Sequence, residues 1–122
     1  MFRILHIDDE ELIRNYLEDL IESLYEDVEI LGFSTWSEAE KFLIKDDKFD
    51  LVLLDEVMPM MNGSEIMEVL NKKYPALAEK IVFVAGPSNI LNYDKPHIKK
   101  PFDLSTIQKF LDNCLKDHQD KS

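Results

Sequence analysis

Two apolar runs, DLVLL (50–54) and KIVFVA (80–85), constrain this chain more than any other feature. A strand with one face in water alternates apolar and polar residues, whereas a run without alternation is covered on both faces. Both runs therefore belong inside a sheet with helices packed above and below it. The flanking segments supply those helices. Leu12, Ile13, Tyr16, Leu17, Leu20, Ile21 and Leu24 recur at helical spacing over residues 11–24. A capping box at Thr35 and Glu38, or at Ser37 and Glu40, opens a helix over roughly 36–45. Ile66, Val69 and Leu70 mark a third helix, ended before Pro75. The last helix begins near Asp103, its N-cap, with Leu104, Ile107, Phe110, Leu111, Cys114 and Leu115 as its stripe. RILHI (3–7), VEILGF (28–33) and HIKK (97–100) read as further short strands. Strand and helix alternate five times, which predicts a doubly wound α/β fold with a five-stranded parallel sheet.

A chain of 122 residues holds one such domain. Residues 1–118 are assigned to it and 119–122 to a polar tail. The net charge of -11 disfavours a nucleic-acid or anionic-membrane partner and favours proteins and cations. There is no apolar run long enough to span a bilayer, and MFRILHI is too short and too soon followed by acids to be a secretory signal. One cysteine excludes an internal disulfide and fits a reducing cytoplasm. Cys114 lies in an apolar stripe and reads as a small buried hydrophobe rather than a reactive thiol.

Ligands of such folds bind beyond the carboxyl ends of the strands. Asp8-Asp9-Glu10 stand at the end of the first strand and Asp55-Glu56 at the end of the third. Lys99-Lys100-Pro101-Phe102 stand at the end of the fifth. Two of the chain's three glycines, Gly63 and Gly86, fall on the same rim. Acids brought together from neighbouring strands repel one another unless a cation lies between them. Oxygen ligands without His or Cys suit a hard ion, Mg²⁺ rather than Zn²⁺. Three carboxylates, such an ion and a lysine make a place to receive a phosphoryl group. Asp55 is then the nucleophile, and the stiff loop after it holds a backbone carbonyl on the metal. Taken singly, Asp8 and Asp9 also read as acids favoured by a helix N-terminus, and Lys100 as a solvated lysine. Their coincidence on one rim favours the site.

These residues resemble the receiver domain of two-component response regulators, along nearly the full length of the chain. "ILHIDDEELIR" is similar to that family's first strand and acidic pair, "DLVLLDEVMPMMNG" to its phosphoacceptor segment, and "KKPF" to its lysine-proline segment. The resemblance implies the flavodoxin-like strand order 2-1-3-4-5. It implies that Asp55 accepts the phosphoryl group and that Mg²⁺, or Mn²⁺ in its place, is held by Asp9 directly and by Asp8 mainly through water. The Val57 carbonyl completes the protein ligands. Lys100 and the Gly86 amide would contact the phosphoryl oxygens. The implied donor is a sensor histidine kinase or a histidine phosphotransfer protein, with a downstream protein target. The resemblance implies a signalling domain rather than an enzyme, and the polar tail reads as the end of a single-domain type.

Two departures from the pattern bear on function. Ala85 stands where the family carries a Thr or Ser hydroxyl, and Ser88 is the nearest residue that would reach back. Residues 86–99 are fewer than the family usually has between these positions, so the helix between strands four and five is expected to be short or absent. His97 occupies the position of the family's aromatic switch residue and reads as structural. His6 reads as packing or a satisfied hydrogen bond. Trp36, at the start of the second helix, is expected to sense metal only weakly. Two alternatives follow: a pseudo-receiver that binds a partner without phosphate, favoured by Ala85, and a Mg²⁺-dependent aspartyl phosphohydrolase. The phosphohydrolase is disfavoured because Val57 stands where that class has a second acid.

Overall fold

The computed structural model describes residues 1–86, 95–99 and 103–120. Strands β1 (Phe2–Ile7), β2 (Val28–Phe33), β3 (Leu51–Asp55), β4 (Ile81–Ala85) and β5 (His97–Lys99) form one parallel sheet in the order β2-β1-β3-β4-β5. The helices are α1 (Glu11–Leu24), α2 (Trp36–Leu43), α3 (Gly63–Lys73), a short α4 (Pro75–Ala78) and α5 (Leu104–Asp120). The fold class and the strand order are those expected. The expected shortening of the helix before β5 concerns residues 87–94, which lie outside the described residues. Among the described residues no helix is long and apolar enough to cross a membrane.

The period-two geometry of β3 divides the core. Val52 and Leu54 pack with Trp36, Ala39, Ile66 and Leu70 of α2 and α3 on one face. Leu51 and Leu53 pack with Leu17, Ile21, Ile107 and Leu111 of α1 and α5 on the other. Every residue of β3 and β4 is buried, which is why neither run alternates. Each large apolar side chain buried in this way contributes about 1.5–3 kcal/mol. A one-residue slip of β3 would exchange its two sets of side chains between faces, so the register is strongly specified.

The helix starts follow local chemistry. Thr35 Oγ1 accepts the Glu38 amide at 3.2 Å, which selects Thr35 over Ser37 as the cap of α2. The Glu38 carboxylate accepts the Ser34 hydroxyl at 3.0 Å. Asp103 Oδ1 accepts the Thr106 amide at 2.8 Å, and this bond and one from the Thr106 hydroxyl hold its carboxyl below the usual range. The α3 start is a full capping box that the sequence reading did not identify: Asn62 accepts the Glu65 amide at 2.9 Å and Glu65 accepts the Asn62 amide at 3.2 Å. Pro75 does more than end a helix. It sits in the first turn of α4, where its missing N–H costs nothing. Cys114 is half-buried, and burial pushes its thiol pKa up, away from reactivity.

Gly63 fixes how closely α3 approaches the end of β3. A Cβ at this position would lie 2.8 Å from the Asp55 carbonyl oxygen and 3.0 Å from Phe83 Cε1. Neither neighbour is the flexible tip of a side chain. Gly63→Ala is therefore expected to destabilise the fold by roughly 1–3 kcal/mol through overpacking, measured by urea or thermal unfolding, despite the better helix propensity of alanine.

Candidate functional site

The site is made by register. Ile7 of β1 pairs with Leu54 of β3, so the next residues, Asp8 and Asp55, come side by side at the rim. Asp55 in turn pairs with Val84, which places Ala85 one residue beyond it. Asp55 is the last residue of β3, not the first of the loop, and its rotamer is constrained by a strand. The Asp8 amide donates to the Phe33 carbonyl at 3.1 Å and the Glu56 amide to the Val84 carbonyl at 3.2 Å. The sheet ladder thus runs one residue past each strand and carries the acids with it.

Asp8 and Asp55 are buried, at 0% and 3% exposure, while Asp9 and Glu10 are exposed. One carboxylate oxygen from each of the four lies within 4.8 Å of the others. Repulsion between two unit charges 4 Å apart is about 1 kcal/mol in water and about 4 kcal/mol at the effective dielectric of a protein surface. Two buried members put this cluster well above the water limit. The donor set is all oxygen, spans two strands, and fits a hard divalent cation. Asp8, Asp9 and Asp55 would hold it, and Glu10 joins them, a residue the sequence reading placed on the rim without giving it a role.

Backbone hydrogen bonds preset the loops. Asp8 Oδ1 accepts the Glu10 amide at 2.9 Å, which turns the chain into α1. Arg14 Nη1 donates to the Asp8 carbonyl at 2.7 Å and brings a positive charge beneath the acids. Helical spacing alone did not reveal Arg14, since its role depends on the turn before α1. The Val57 amide donates to Asp55 Oδ1 at 3.3 Å and orients the carboxylate. Glu56 turns the other way, 6% exposed, and accepts the Ser64 hydroxyl at 2.6 Å.

Several other positions singled out in the sequence are also resolved by the geometry. Ala85 is 1% exposed at the end of β4, and Gly86, directly after it, is half-buried. His97 stacks on Phe83, ring centroids 5.5 Å apart, in keeping with a structural role. His6 is fully buried, and among the described residues its ring nitrogens have no hydrogen-bond partner; Nε2 is 3.8 Å from Asp8 Oδ2. Of the two roles expected for His6, packing is the one observed. Ser88 and Lys100 lie outside the described residues. Trp36 begins α2, as expected. It lines a cavity of about 220 Å³ with Asp9 and Met58–Met61, so it shares a wall with the acidic cluster.

Comparison with known proteins agrees with this geometry. The chain is 31% identical over 122 residues to an uncharacterized response regulatory protein of Shewanella oneidensis, an alignment that takes in 96% of this chain and 50% of that protein. It thus spans half the length of that relative. Among solved structures, it superposes on a CheY-like response regulator receiver domain protein of Methanospirillum hungatei JF-1 with a TM-score of 0.78. The identity there is 26%, over 100% of this chain and 99% of the other. A two-component transcriptional regulator AraC of Clostridium phytofermentans ISDg gives a TM-score of 0.77 at 28% identity, with both chains fully covered. The model of the response regulator receiver domain matches residues 4–112, and the chain belongs to that family.

Proposed function

We propose that this receiver domain is a phosphoacceptor of a two-component relay, taking a phosphoryl group onto Asp55 from a phosphohistidine. The observation that carries the reading is the cluster itself, with a buried carboxylate at the end of the central strand and three more within 4.8 Å. The donor is a sensor histidine kinase or a histidine phosphotransfer protein, and the output is a downstream protein target. Residues 1–118 form the receiver domain, which works as a signalling module in the cytoplasm rather than as a catalyst with its own substrate.

Asp55 attacks phosphorus, the bond from phosphorus to the donor imidazole breaks, and an aspartyl phosphate, a mixed anhydride, remains. Asp8, Asp9, Asp55 and the Val57 carbonyl would hold Mg²⁺, with Mn²⁺ as a substitute. When bound, the ion neutralises the carboxylates and the incoming phosphoryl oxygens. The Val57 amide orients Asp55 through Oδ1. Lys100 and the Gly86 amide are assigned to the phosphoryl oxygens by their match to the family pattern.

A second reading, a pseudo-receiver that binds its partner without phosphate, is favoured by Ala85, since a buried methyl group stands where the family has a hydroxyl. Mass spectrometry separates the two. With Mg²⁺ and a small acyl phosphate, wild type is expected to gain one phosphoryl group and Asp55→Asn none. A label mapped to Asp8, Asp9 or Glu56 would remove Asp55 from its role. No label from any donor, with metal binding intact, would favour the pseudo-receiver. Mg²⁺ titration is expected to change Trp36 fluorescence, because Trp36 borders the same cavity as Asp9. That response, and binding by calorimetry, are expected to vanish when Asp9→Ala is combined with Asp55→Ala.

Restoring the hydroxyl tests the departure directly. Ala85→Thr is expected to raise the rate of phosphorylation by about ten-fold if the new hydrogen bond contributes about 1.4 kcal/mol to the transition state. An unchanged or lower rate in a folded variant would mean that another group already fills the role.

A further inference from the structure

Glu56 is a buried carboxyl that the acidic cluster does not use. It follows Asp55 directly, is 6% exposed, and is absent from the group of four acids whose ligand atoms converge. An apolar residue at this position would bury itself without the desolvation cost that a carboxyl carries. The structure shows what offsets that cost. Glu56 Oε1 accepts the Ser64 hydroxyl at 2.6 Å, a length typical of a charge-assisted O–H···O bond. The Glu56 carbonyl accepts the Gly63 amide at 3.0 Å, and its own amide donates to Val84 at 3.2 Å. One residue therefore joins β3 to β4 and, twice, to the first turn of α3.

We infer that Glu56 and Ser64 are positioning residues for the phosphoacceptor. Their hydrogen bond locks the end of β3 against α3 and so sets the Asp55 carboxylate and the Val57 carbonyl in place. This role rests on the phosphoacceptor reading above. It follows from where the bond lies. Glu56 is the single residue between Asp55 and Val57, and the Val57 amide is itself bonded to Asp55 Oδ1. Rotation about residue 56 moves both groups at once. The helix approaches closely enough to make the bond only because residue 63 is glycine, with no Cβ to meet the Asp55 carbonyl.

The test compares four forms of the full chain with wild type, well below their unfolding midpoints: Ser64→Ala, Ser64→Thr, Glu56→Gln, and the double variant Glu56→Met with Ser64→Ala. Three quantities are read: the rate of phosphorylation by a small acyl phosphate with Mg²⁺, the affinity for Mg²⁺ alone by calorimetry, and the unfolding midpoint. Ser64→Ala is expected to slow phosphorylation by about five- to ten-fold, the size of one hydrogen bond acting on a transition state, and to weaken Mg²⁺ binding. Ser64→Thr keeps the hydroxyl and Glu56→Gln keeps the acceptor oxygen, so both are expected within about two-fold of wild type. The double variant leaves no unsatisfied carboxyl. It is expected to fold stably and still react slowly, which keeps the test open if Ser64→Ala does not fold. Two outcomes overturn the role. In one, Ser64→Ala or the double variant moves the unfolding midpoint but leaves rate and Mg²⁺ affinity at wild-type values. In the other, Glu56→Gln is as slow as Ser64→Ala, which would make the charge decisive rather than the bond. If wild type takes no phosphoryl group, the phosphoacceptor reading falls and Mg²⁺ affinity decides alone whether the bond positions Asp55 and the Val57 carbonyl: weakened in Ser64→Ala it supports that positioning, unchanged it overturns it.

Discussion

The pairing of β1 with β3 fixes a conflict at the rim of the sheet. Because Ile7 lies opposite Leu54, the chain cannot extend either strand by one residue without setting Asp8 beside Asp55. Both are buried, and the hydrophobic register that forces them together is held by two complete core layers. Among the described residues, three groups of the rim hold these two acids. The Glu10 amide bonds Asp8, the Val57 amide bonds Asp55, and Arg14 reaches the Asp8 carbonyl. These groups orient the carboxylates, and Asp9 and Glu10 bring two more acids to the same place. The core thus stabilises an arrangement of four acids whose oxygens lie close enough to share a cation. That is how a fold built from apolar runs comes to present a group of acids that could hold a metal ion.

The start of α3 is the second element on which the rim depends. Gly63 lets the helix come into contact with the Asp55 backbone, and the Asn62–Glu65 capping box fixes the helix end that makes this contact. The loop between Asp55 and Asn62 is consequently pinned at both ends. Exposed Met60 lies between the pinned ends, while Met58 and Met61 pack against the core. A loop held in this way loses little entropy when its backbone carbonyl takes a ligand, which is the advantage of preorganisation in a binding site.

Much of this was legible in the sequence because the signals were periodic or compositional. Uninterrupted runs at 50–54 and 80–85 meant strands covered on both faces, and the strand termini then located the acids. What escaped were relations set by turns and by three-dimensional proximity. Pro75 reads as a terminator, and only the folded chain shows that it also begins α4. The capping box at Asn62 was hidden inside a segment read for its chemistry. Trp36 is separated from Met58–Met61 by the rest of α2, strand β3 and two loops, so no local pattern announces the cavity they share with Asp9. Arg14 and Glu10 depend on one turn of backbone at Asp8, which periodicity does not encode.

The departure at Ala85 changes how the rim connects to the rest of the sheet. On the proposed phosphoacceptor reading, a hydroxyl there would bond the phosphoryl group directly and link it to β4. With a methyl group buried at 1% exposure, β4 offers no side-chain donor at that point. Besides the backbone ladder through Val84 and Ile98, packing contacts lead from Asp55 toward the edge strand. The first turn of α3 lies against Asp55 and the Phe83 ring, and Phe83 stacks on His97 of β5. Packing transmits displacement only when an element moves as a body, because close-packed side chains yield little. The element placed to do so is the start of α3, tied to the acceptor strand through Glu56 and to Phe83 by contact.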